Sequence, residues 1–228
     1  MSKPMNHMDH LTSLIDLAGL SVVDVGAGDG KFARAFARRG ARVTGVEIDE
    51  DKVVIAKQAA HEHVRILLGR GEDLPLDDGS SDLVCFMFSF HHVPDGLQEG
   101  AIAEAWRVLR PNGRLHVLEP RPGGPMSQVL APLDDETEVR TKSQARLDAL
   151  AVRGRFALRS KVDYVIARKT PDFDSYLAAM IAVDPRRAEK LPAVREEMEA
   201  AFASVTRRTD DGVVLEEPCV AYHFERID

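Results

Sequence analysis

The chain of 228 residues has little cysteine and no long hydrophobic run. Only two cysteines occur, and Cys85 lies in an apolar stretch typical of a buried strand, so a disulfide framework is not expected. Apolar stretches such as 83–88 are too short to cross a bilayer, and the N-terminal sequence lacks the apolar core of a secretory signal. We therefore expect a cytoplasmic protein without a membrane span.

The sequence also lacks an excess of positive charge, because 30 Lys and Arg stand against 37 Asp and Glu. The formal net charge of −7 argues against a broad nucleic-acid-binding face, which gains affinity from basic side chains on phosphates. A hydrophobic content of 44% is ordinary for a globular enzyme, and no Ser/Gly-rich tether divides the chain. We expect one domain, 1–228, acting on a small molecule.

In the first half of the chain, short apolar runs alternate with helical patterns. The runs are continuously hydrophobic, as in parallel strands covered by helices on both faces. The pattern predicts a doubly wound α/β sheet. Its predicted strands are 21–25, 42–47, 64–68, 82–89 and 114–118, and its predicted helices are 30–39, 50–61 and 97–109.

Two middle segments carry more specific expectations. The spacing in the helix predicted over 97–109 puts Ile102, Trp106 and Leu109 on one buried stripe, and the "RPNG" that follows should stop that helix. Segment 133–148 mixes charges of both signs, which indicates a solvated linker leading into a helix.

The second half of the chain predicts two strands with helices between them. Strands are predicted over 160–170 and 212–227, the latter broken or bulged near Pro218. Helices are predicted over 174–183 and 185–205. The second is capped by Asp184, and it either continues through Pro192 or divides there. The segment 168–209 is thus a helical insertion between the last two strands, and it could cap a substrate site, form a dimer surface or cover the sheet edge.

The stretch "VVDVGAGDGKFA" at 22–33 has glycines at every second position after a strand. Residues without a Cβ let a ligand approach the backbone of such a turn, which Gly26, Gly28 and Gly30 supply. The dinucleotide fingerprint G-x-G-x-x-G would need glycine at Lys31, so it fails by one residue. Another adenosine-containing cofactor and a purely structural turn both remain open.

An acidic residue on the next strand bears on that choice. Glu47 ends the second predicted strand, 21 positions after Gly26. A carboxylate about 20 residues beyond the first glycine is placed to accept the ribose hydroxyls of an adenosine. The alternative is a surface carboxylate at this position by chance.

Together with these residues, the blocks "GRGEDLPLDDGSSDLV" at 69–84, "FSFHHVPD" at 88–95 and "RVLRPNGRLHVLEP" at 107–120 make the chain resemble the class I S-adenosylmethionine-dependent methyltransferases. The resemblance covers roughly the first 120 residues. It implies a Rossmann-like sheet of seven strands, mostly parallel with the last strand antiparallel. It also implies S-adenosylmethionine as the cofactor, bound across the carboxyl ends of the first strands.

The same resemblance implies roles for individual residues. The turn backbone would lie against the methionine part of the cofactor, Asp24 would stabilise its cationic end, and Glu47 would bind the ribose. Ile48 would pack on the adenine, with Gly71 and Glu72 near its edge, and Ser89 would line the site. The full predicted set is Asp24, Gly26, Ala27, Gly28, Gly30, Glu47, Ile48, Gly71, Glu72 and Ser89. One departure is Arg70, where similar proteins often have an aspartate that accepts from the adenine amino group, because arginine can only donate.

The acceptor chemistry is less defined by the sequence. His91, after the fourth strand, is a weak candidate for a general base, which is needed only for an acceptor such as a hydroxyl. Its alternative is a packing role in the "HHV" loop. Histidines at 7–10 and 61–63 lack zinc-like spacing and are explained by a solvated N-terminal segment and a helix end, so no metal is predicted. A nicotinamide-dependent oxidoreductase and a non-catalytic S-adenosylmethionine-binding protein are the alternative functions.

Overall fold

The computed structural model describes residues 6–59, 61–151 and 154–227. They form two compact units: the larger contains the described residues within 6–119, 142–162 and 220–227, and the smaller contains 120–141 and 163–219. The predicted single domain also includes residues 1–5, 60, 152–153 and 228, which lie outside the described ranges, and it stays a prediction.

The described chain alternates strands and helices, as predicted. The strands are β1 Ser21–Val25, β2 Arg42–Glu47, β3 Val64–Leu68, β4 Ser81–Met87, β5 Leu109–Pro120, β6 Phe156–Thr170, β7 Thr206–Thr209 and β8 Gly212–Arg226. The helices are α1 His7–Leu14, α2 Lys31–Ala37, α3 Glu50–Gln58, α4 Gln98–Val108, α5 Pro125–Leu130, α6 Thr137–Leu150, α7 Phe173–Val183 and α8 Arg187–Val205. Two short 3-10 turns, Phe90–His92 and Asp95–Leu97, follow β4.

One sheet contains all eight strands. Seven follow the order β3-β2-β1-β4-β5-β8-β6, and β7 pairs with β8 outside that path. The pairings β1 with β2, β1 with β4, β2 with β3 and β4 with β5 are parallel, whereas β7 and β8 are antiparallel. The prediction of a Rossmann-like, mostly parallel sheet with an antiparallel strand is confirmed, and the short strand β7 is an addition to it. Both cysteines are buried, and neither is in a disulfide.

The core of the larger unit lies on the sheet face that α4 covers. It is built from Val, Leu and Phe side chains of β1, β4 and β5 and from small residues of α4. The buried positions of α4 are Gln98, Ala101, Ala105 and Val108, whereas Ile102 and Trp106 are half-buried beside them. The predicted stripe is therefore displaced by one position, because small side chains let the helix lie close to the sheet. No described helix combines the length and hydropathy that a bilayer span requires.

Helix α4 ends at Val108, directly before the "RPNG" sequence, as predicted, but those four residues do not form a separate turn. Instead β5 begins at Leu109 and bulges, since Ser81 pairs with Leu109 but Leu83 already pairs with Arg114. Asn112 supplies the bend with a positive φ of 64°. The four residues loop out of the ladder while the strand continues on both sides.

The segment 133–148 is not a solvated linker. Helix α6 begins within it, and Arg140, Ser143 and Leu147 of that helix are buried. Arg140 is buried because it is paired, since its guanidinium donates to the Ser127 hydroxyl at 2.5 Å and to Glu136. The mixed charges of this segment therefore gave no indication that one face of its helix is buried.

The predicted insertion corresponds to α7, α8 and β7, which lie in the smaller unit. Their apolar faces share a core with α5 that includes Phe173, Met198 and Phe202. Pro192 does not divide α8, which continues from Arg187 to Val205. The prediction that Asp184 caps α8 is wrong. Asp184 directly follows the last residue of α7, and α8 begins at Arg187, three positions later.

A cluster of three buried histidines lies on the far side of β5 in the larger unit. His116 of β5 lies 3.4 Å from His223 of β8 between their Nδ1 atoms, and its ring is 6.1 Å from that of His10 in α1. Burial lowers the pKa of all three, that of His223 to about 4. His10 was expected in a solvated segment, and its burial shows that α1 packs on the sheet.

This cluster predicts a loss of stability in mild acid. Unfolded His223 binds a proton near pH 6.5 but folded His223 only near pH 4. Between those values the unfolded state binds more protons, so the free energy of unfolding falls as the pH drops, by up to about 3 kcal/mol for this residue. His223→Gln should remove that part of the slope in urea denaturation between pH 7 and 4. The exposed His63→Gln should keep the wild-type slope, and equal slopes in both variants would contradict the assignment.

Candidate functional site

The glycine turn after β1 adopts a conformation that side chains rarely permit. Gly26, Gly28 and Gly30 have φ values of 73°, 56° and 78°. A Cβ on Gly26 would lie 2.5 Å from the Cβ of Ser89, so at this position the backbone also needs the space. The turn is fixed to β2, because the amides of Gly26 and Ala27 both donate to the Val46 carbonyl at 2.8 and 3.1 Å. Ala27 thus holds the turn in place with its N–H group.

Asp24 lies on β1 directly before this turn and is 1% exposed. Its Oδ2 atom has no hydrogen-bond partner, which is unusual for a buried carboxylate. Burial, with smaller contributions from the charges of Glu47 and Asp29, raises the pKa of Asp24 to about 7, although a backbone hydrogen bond from Ala33 lowers it. A cation beside Oδ2 would supply the missing interaction.

Glu47 ends β2 and is held by three backbone amides. Its Oε2 accepts from Gly28 N at 2.7 Å, and its Oε1 accepts from Ile48 N and Asp49 N at 3.0 Å each. A carboxylate has about four acceptor positions, so about one is left for another donor. The carboxylate therefore links the glycine turn to the end of β2 and can still accept from a ligand hydroxyl.

Two exposed apolar side chains lie at the carboxyl ends of β2 and β3. Ile48 is 58% exposed, and Leu68, the residue paired with Glu47 in the ladder, is also exposed. Isolated exposed apolar residues are ordinary on a protein surface. These two both adjoin Glu47, because Ile48 is the next residue in the sequence and Leu68 is its partner in the sheet. The sequence predicted Ile48 for this edge and missed Leu68, whose place at the end of a strand beside Glu47 was the available signal.

The loop after β3 carries the other predicted edge residues. Gly71 packs closely, since a Cβ there would lie 3.3 Å from Val25 Cγ1. Glu72 is mostly buried and lies 3.8 Å from the exposed Arg70 guanidinium. Glu72 is thus the nearby acceptor in this loop, and it forms an ion pair with Arg70.

The loop after β4 brings three predicted or strained residues together. Phe88 has a positive φ of 62°, a strained conformation for an aromatic residue of the kind that concentrates at functional sites. Ser89 donates from its hydroxyl to the Val25 carbonyl at 2.5 Å, which ties the loop to the end of β1. His91 follows in the 3-10 turn with its side chain only 2% exposed.

His91 has a partner that sequence reasoning missed. Its Nδ1 atom forms a short hydrogen bond to Oε2 of Glu119, the fully buried carboxylate near the end of β5. Glu119 lies in the quoted "HVLEP" block as the one acidic residue of an apolar run. Because β4 and β5 are adjacent and parallel, a residue just after β4 and a residue near the end of β5 lie at the same sheet edge. This adjacency was the signal from which the pairing of His91 with Glu119 could have been inferred.

These residues fit an adenosyl sulfonium at the carboxyl edge of β1, β2 and β4. The unpaired Oδ2 of Asp24 suits a cationic group, and the space at Gly26 suits a close backbone approach. Glu47 retains acceptor capacity for a hydroxyl, and Ile48 offers an apolar face for a ring. The open side of a doubly wound sheet is at the carboxyl ends of its strands, where all these groups lie.

Comparison with known proteins agrees with this geometry. Residues 23–117 match the family described as methyltransferase domain. The chain is 40% identical over 104 residues to demethylmenaquinone methyltransferase of Tropheryma whipplei (strain Twist), covering 45% of this chain and 42% of that protein. It is 35% identical over 112 residues to ubiquinone biosynthesis O-methyltransferase of Xanthomonas oryzae pv. oryzae (strain PXO99A), covering 47% and 46%. The chain thus spans less than half the length of these relatives.

The fold is also shared with solved structures. A Bacillus halodurans C-125 protein, itself provisionally assigned as a methyltransferase, superposes with a TM-score of 0.67 at 18% identity, covering 97% of this chain and 99% of the other. At that identity the likeness concerns the fold. With the family match over residues 23–117, it shows a methyltransferase domain in that part of the chain and a fold shared over nearly the whole chain.

Proposed function

We propose that the protein binds S-adenosylmethionine and transfers its methyl group to a small molecule. The observation that carries the proposal is the carboxyl edge of β1 and β2, where buried Glu47 is bonded to the Gly28 amide beside the unpaired Oδ2 of Asp24. When bound, the cofactor supplies a methyl group activated by a sulfonium. The family match and the relatives' names support the same activity.

Each predicted residue then has a defined task. Gly26, Gly28 and Gly30 let the backbone approach the methionine part, and ionised Asp24 offers Oδ2 to its positive charge. Glu47 accepts from a ribose hydroxyl with its remaining acceptor position. Accepting both hydroxyls requires Glu47 to release one of its three backbone amides, those of Gly28, Ile48 and Asp49.

The adenine edge departs from the family's usual pattern. Ile48 covers one face of the ring, and Gly71 brings the backbone of the loop after β3 close to its rim. Arg70 cannot accept from the adenine amino group, so Glu72 takes that role in our proposal, helped by its low exposure. Ser89 lines the remaining side through its contact with Gly26.

For the acceptor, we propose a hydroxylated aromatic ring of the quinol type. The names of the two relatives refer to demethylmenaquinone and to ubiquinone biosynthesis, and one of them names transfer to oxygen. The formal net charge of −7 also disfavours a nucleic acid as the acceptor.

Isothermal titration calorimetry with S-adenosylhomocysteine and, separately, NADH tests the cofactor. We expect heat with S-adenosylhomocysteine only. Glu47→Ala should weaken that binding by about 10- to 100-fold, since a charged hydrogen bond to ligand contributes about 1.5–3 kcal/mol. The matched control Glu50→Ala removes a charge from an exposed residue three positions away and should bind as wild type. Binding of NADH alone, or an equal loss in both variants, would reject this cofactor assignment.

A further inference from the structure

The loop 69–80 between β3 and β4 begins at the sheet edge that carries the proposed cofactor site. All of its residues are described, and none belongs to a helix or strand. Near its start, a Cβ on Gly71 would lie 3.3 Å from Val25 Cγ1 and 3.5 Å from Val93 Cγ2. Val25 directly precedes Gly26 of the glycine turn, and Val93 follows β4. The loop thus packs on the ends of β1 and β4, and its backbone groups need partners from outside regular structure.

Arg107 of α4 supplies several of these partners, because all five N–H groups of its guanidinium are used. Its Nη1 atom donates to the Leu76 carbonyl and to Asp78, both at 2.7 Å. Its Nη2 atom donates to the Leu74 carbonyl at 3.0 Å and to Glu104 at 2.6 Å, and its Nε atom donates to Glu104 at 2.7 Å. One side chain therefore holds the loop from Leu74 to Asp78.

Glu104 binds the same part of the loop from the preceding turn of α4. Its Oε2 atom accepts from the Leu74 amide at 2.8 Å as well as from Arg107. The N–H and C=O groups of Leu74 are therefore both bonded to this pair, and its side chain is 3% exposed in the core. The hydrogen bond from Arg107 holds the pKa of Glu104 below its usual range, so the pair stays charged at neutral pH.

The contact between the loop and α4 extends to Glu72. A Cβ on Gly100, one turn before Glu104, would lie 3.4 Å from Glu72 Cβ. Glu72 is only two residues before Leu74, whose backbone the pair holds on both sides. The loop therefore lies along α4, and the pair restricts the positions that Glu72 can take.

We propose that Glu104 and Arg107 are positioning residues for cofactor binding, which hold the loop so that Glu72 meets the adenine amino group and thereby set the preference for adenine. This inference rests on the proposed function, in which Glu72 takes the acceptor role that Arg70 cannot take. Neither member of the pair touches the cofactor. A loop that is already ordered loses less conformational entropy when the ligand binds, so the contact of Glu72 with adenine contributes more to affinity.

Two variants weaken the pair without truncating a side chain. Arg107→Lys keeps the positive charge, but its three N–H groups lie on one nitrogen and cannot span the acceptors of the planar guanidinium. Glu104→Gln keeps the shape and can still accept from the Leu74 amide, but it has one acceptor atom instead of two. The matched control Arg110→Lys makes the same change at an arginine that is paired with Asp82 at the start of β4. Near-ultraviolet circular dichroism checks that each variant is folded.

Calorimetry with S-adenosylhomocysteine and S-inosylhomocysteine tests the proposal. The second compound has a carbonyl oxygen in place of the adenine amino group, so it presents an acceptor to Glu72 where adenine presents a donor. We expect wild type and Arg110→Lys to bind S-adenosylhomocysteine about 10- to 100-fold more tightly than S-inosylhomocysteine. Arg107→Lys should lower the affinity for S-adenosylhomocysteine about tenfold and that for S-inosylhomocysteine less than about threefold, and Glu104→Gln should act in the same direction.

These outcomes separate positioning from stabilisation of the fold. A pair that only stabilises the fold would lower Tm in both variants and leave the preference for adenine unchanged, and that result would overturn the inference. Equal losses for the two ligands, or a wild type without a preference, would overturn it as well. A wild-type protein that does not bind S-adenosylhomocysteine at all would overturn the proposed function instead.

A double variant tests whether the pair acts through Glu72. In Glu72→Ala the acceptor is absent, so adding Arg107→Lys should lower the affinity for S-adenosylhomocysteine by less than about threefold. A further loss of about tenfold in that background would mean that Arg107 acts independently of Glu72, which contradicts the proposal.

Discussion

Gly26→Ala should abolish measurable binding of S-adenosylhomocysteine while leaving a folded protein. The new methyl group would lie 2.5 Å from Ser89 Cβ, and the backbone would also keep a φ of 73° that alanine adopts at a cost of about 1–2 kcal/mol. The turn or the loop after β4 must then move, and both line the proposed cofactor site. We expect the affinity to fall more than about 100-fold, which corresponds to about 2.7 kcal/mol, in isothermal titration calorimetry.

The chain offers a control for the backbone strain alone. Gly19 has a φ of 77°, and no atom lies within 4 Å of the position its Cβ would take. Gly19→Ala should cost a similar strain in thermal denaturation but leave ligand affinity unchanged. The double variant Gly26→Ala/Ser89→Gly removes the clashing Cβ and should recover part of the affinity. No recovery, together with an equal loss of affinity in Gly19→Ala, would rule out the contact as the cause.

Affinity for S-adenosylmethionine should fall about tenfold between pH 8 and pH 6, and Asp24→Asn should eliminate that pH dependence. The pKa of Asp24 is raised to about 7 in the protein without ligand, so at pH 6 most molecules carry a neutral carboxyl there. A neutral carboxyl attracts the cationic cofactor less, so binding must first remove a proton. Calorimetry at both pH values measures the effect, and a wild-type affinity that is constant from pH 8 to 6 would contradict it.

Asp24 should also make the stability of the folded protein depend on pH. Its contribution to stability should fall as the pH rises, whereas the affinity for S-adenosylmethionine should increase. Folded Asp24 retains its proton up to about pH 7, whereas the unfolded residue loses it near pH 3.8. The folded state therefore binds more protons between these values, so the Asp24 contribution to the free energy of unfolding falls as the pH rises from about 4 to 7. The shift of about three pH units corresponds to about 4 kcal/mol. The difference in unfolding free energy between Asp24→Asn and wild type should therefore grow in favour of the variant from pH 5 to pH 8.

Strands β1, β2 and β3 were predicted at their observed bounds because continuous apolar runs between loops are specific to buried parallel strands. Helix α4 was predicted within a residue at each end, but its buried face was not. Judged by hydrophobicity, Ile102 and Trp106 are better candidates than alanine for the buried face of a helix. Close packing of a helix on a sheet instead favours small residues there, such as Ala101 and Ala105. Trp106 instead packs under the guanidinium of Arg226, 3.8 Å from its ring centroid.

Features that depend on partners distant in sequence could not be predicted. The buried Arg140 looked solvent-exposed because its hydroxyl partner, Ser127, belongs to another helix. Strand β7 has only four residues, Thr206–Thr209, and it forms because β8 pairs with it. His10 likewise gains its burial from the sheet beneath α1.

The candidate site likewise combines residues that local sequence patterns predicted with a contact that depends on residues distant in sequence. Glycine spacing and the offset to Glu47 are local patterns, and they led to residues that the structure brings together at one sheet edge. The roles assigned to those residues stay predictions until a ligand is measured. Glu119 could not be paired with His91 from the sequence alone, because 28 residues and a helix separate them and only the adjacency of β4 and β5 connects them.

The bonds between the glycine turn and β2 have a consequence for the thermodynamics of cofactor binding. Because the amides of Gly26 and Ala27 already donate to the Val46 carbonyl before any ligand arrives, little chain entropy remains to be lost on association. For the proposed cofactor, preorganisation of this kind predicts rapid binding and an entropy change dominated by released water.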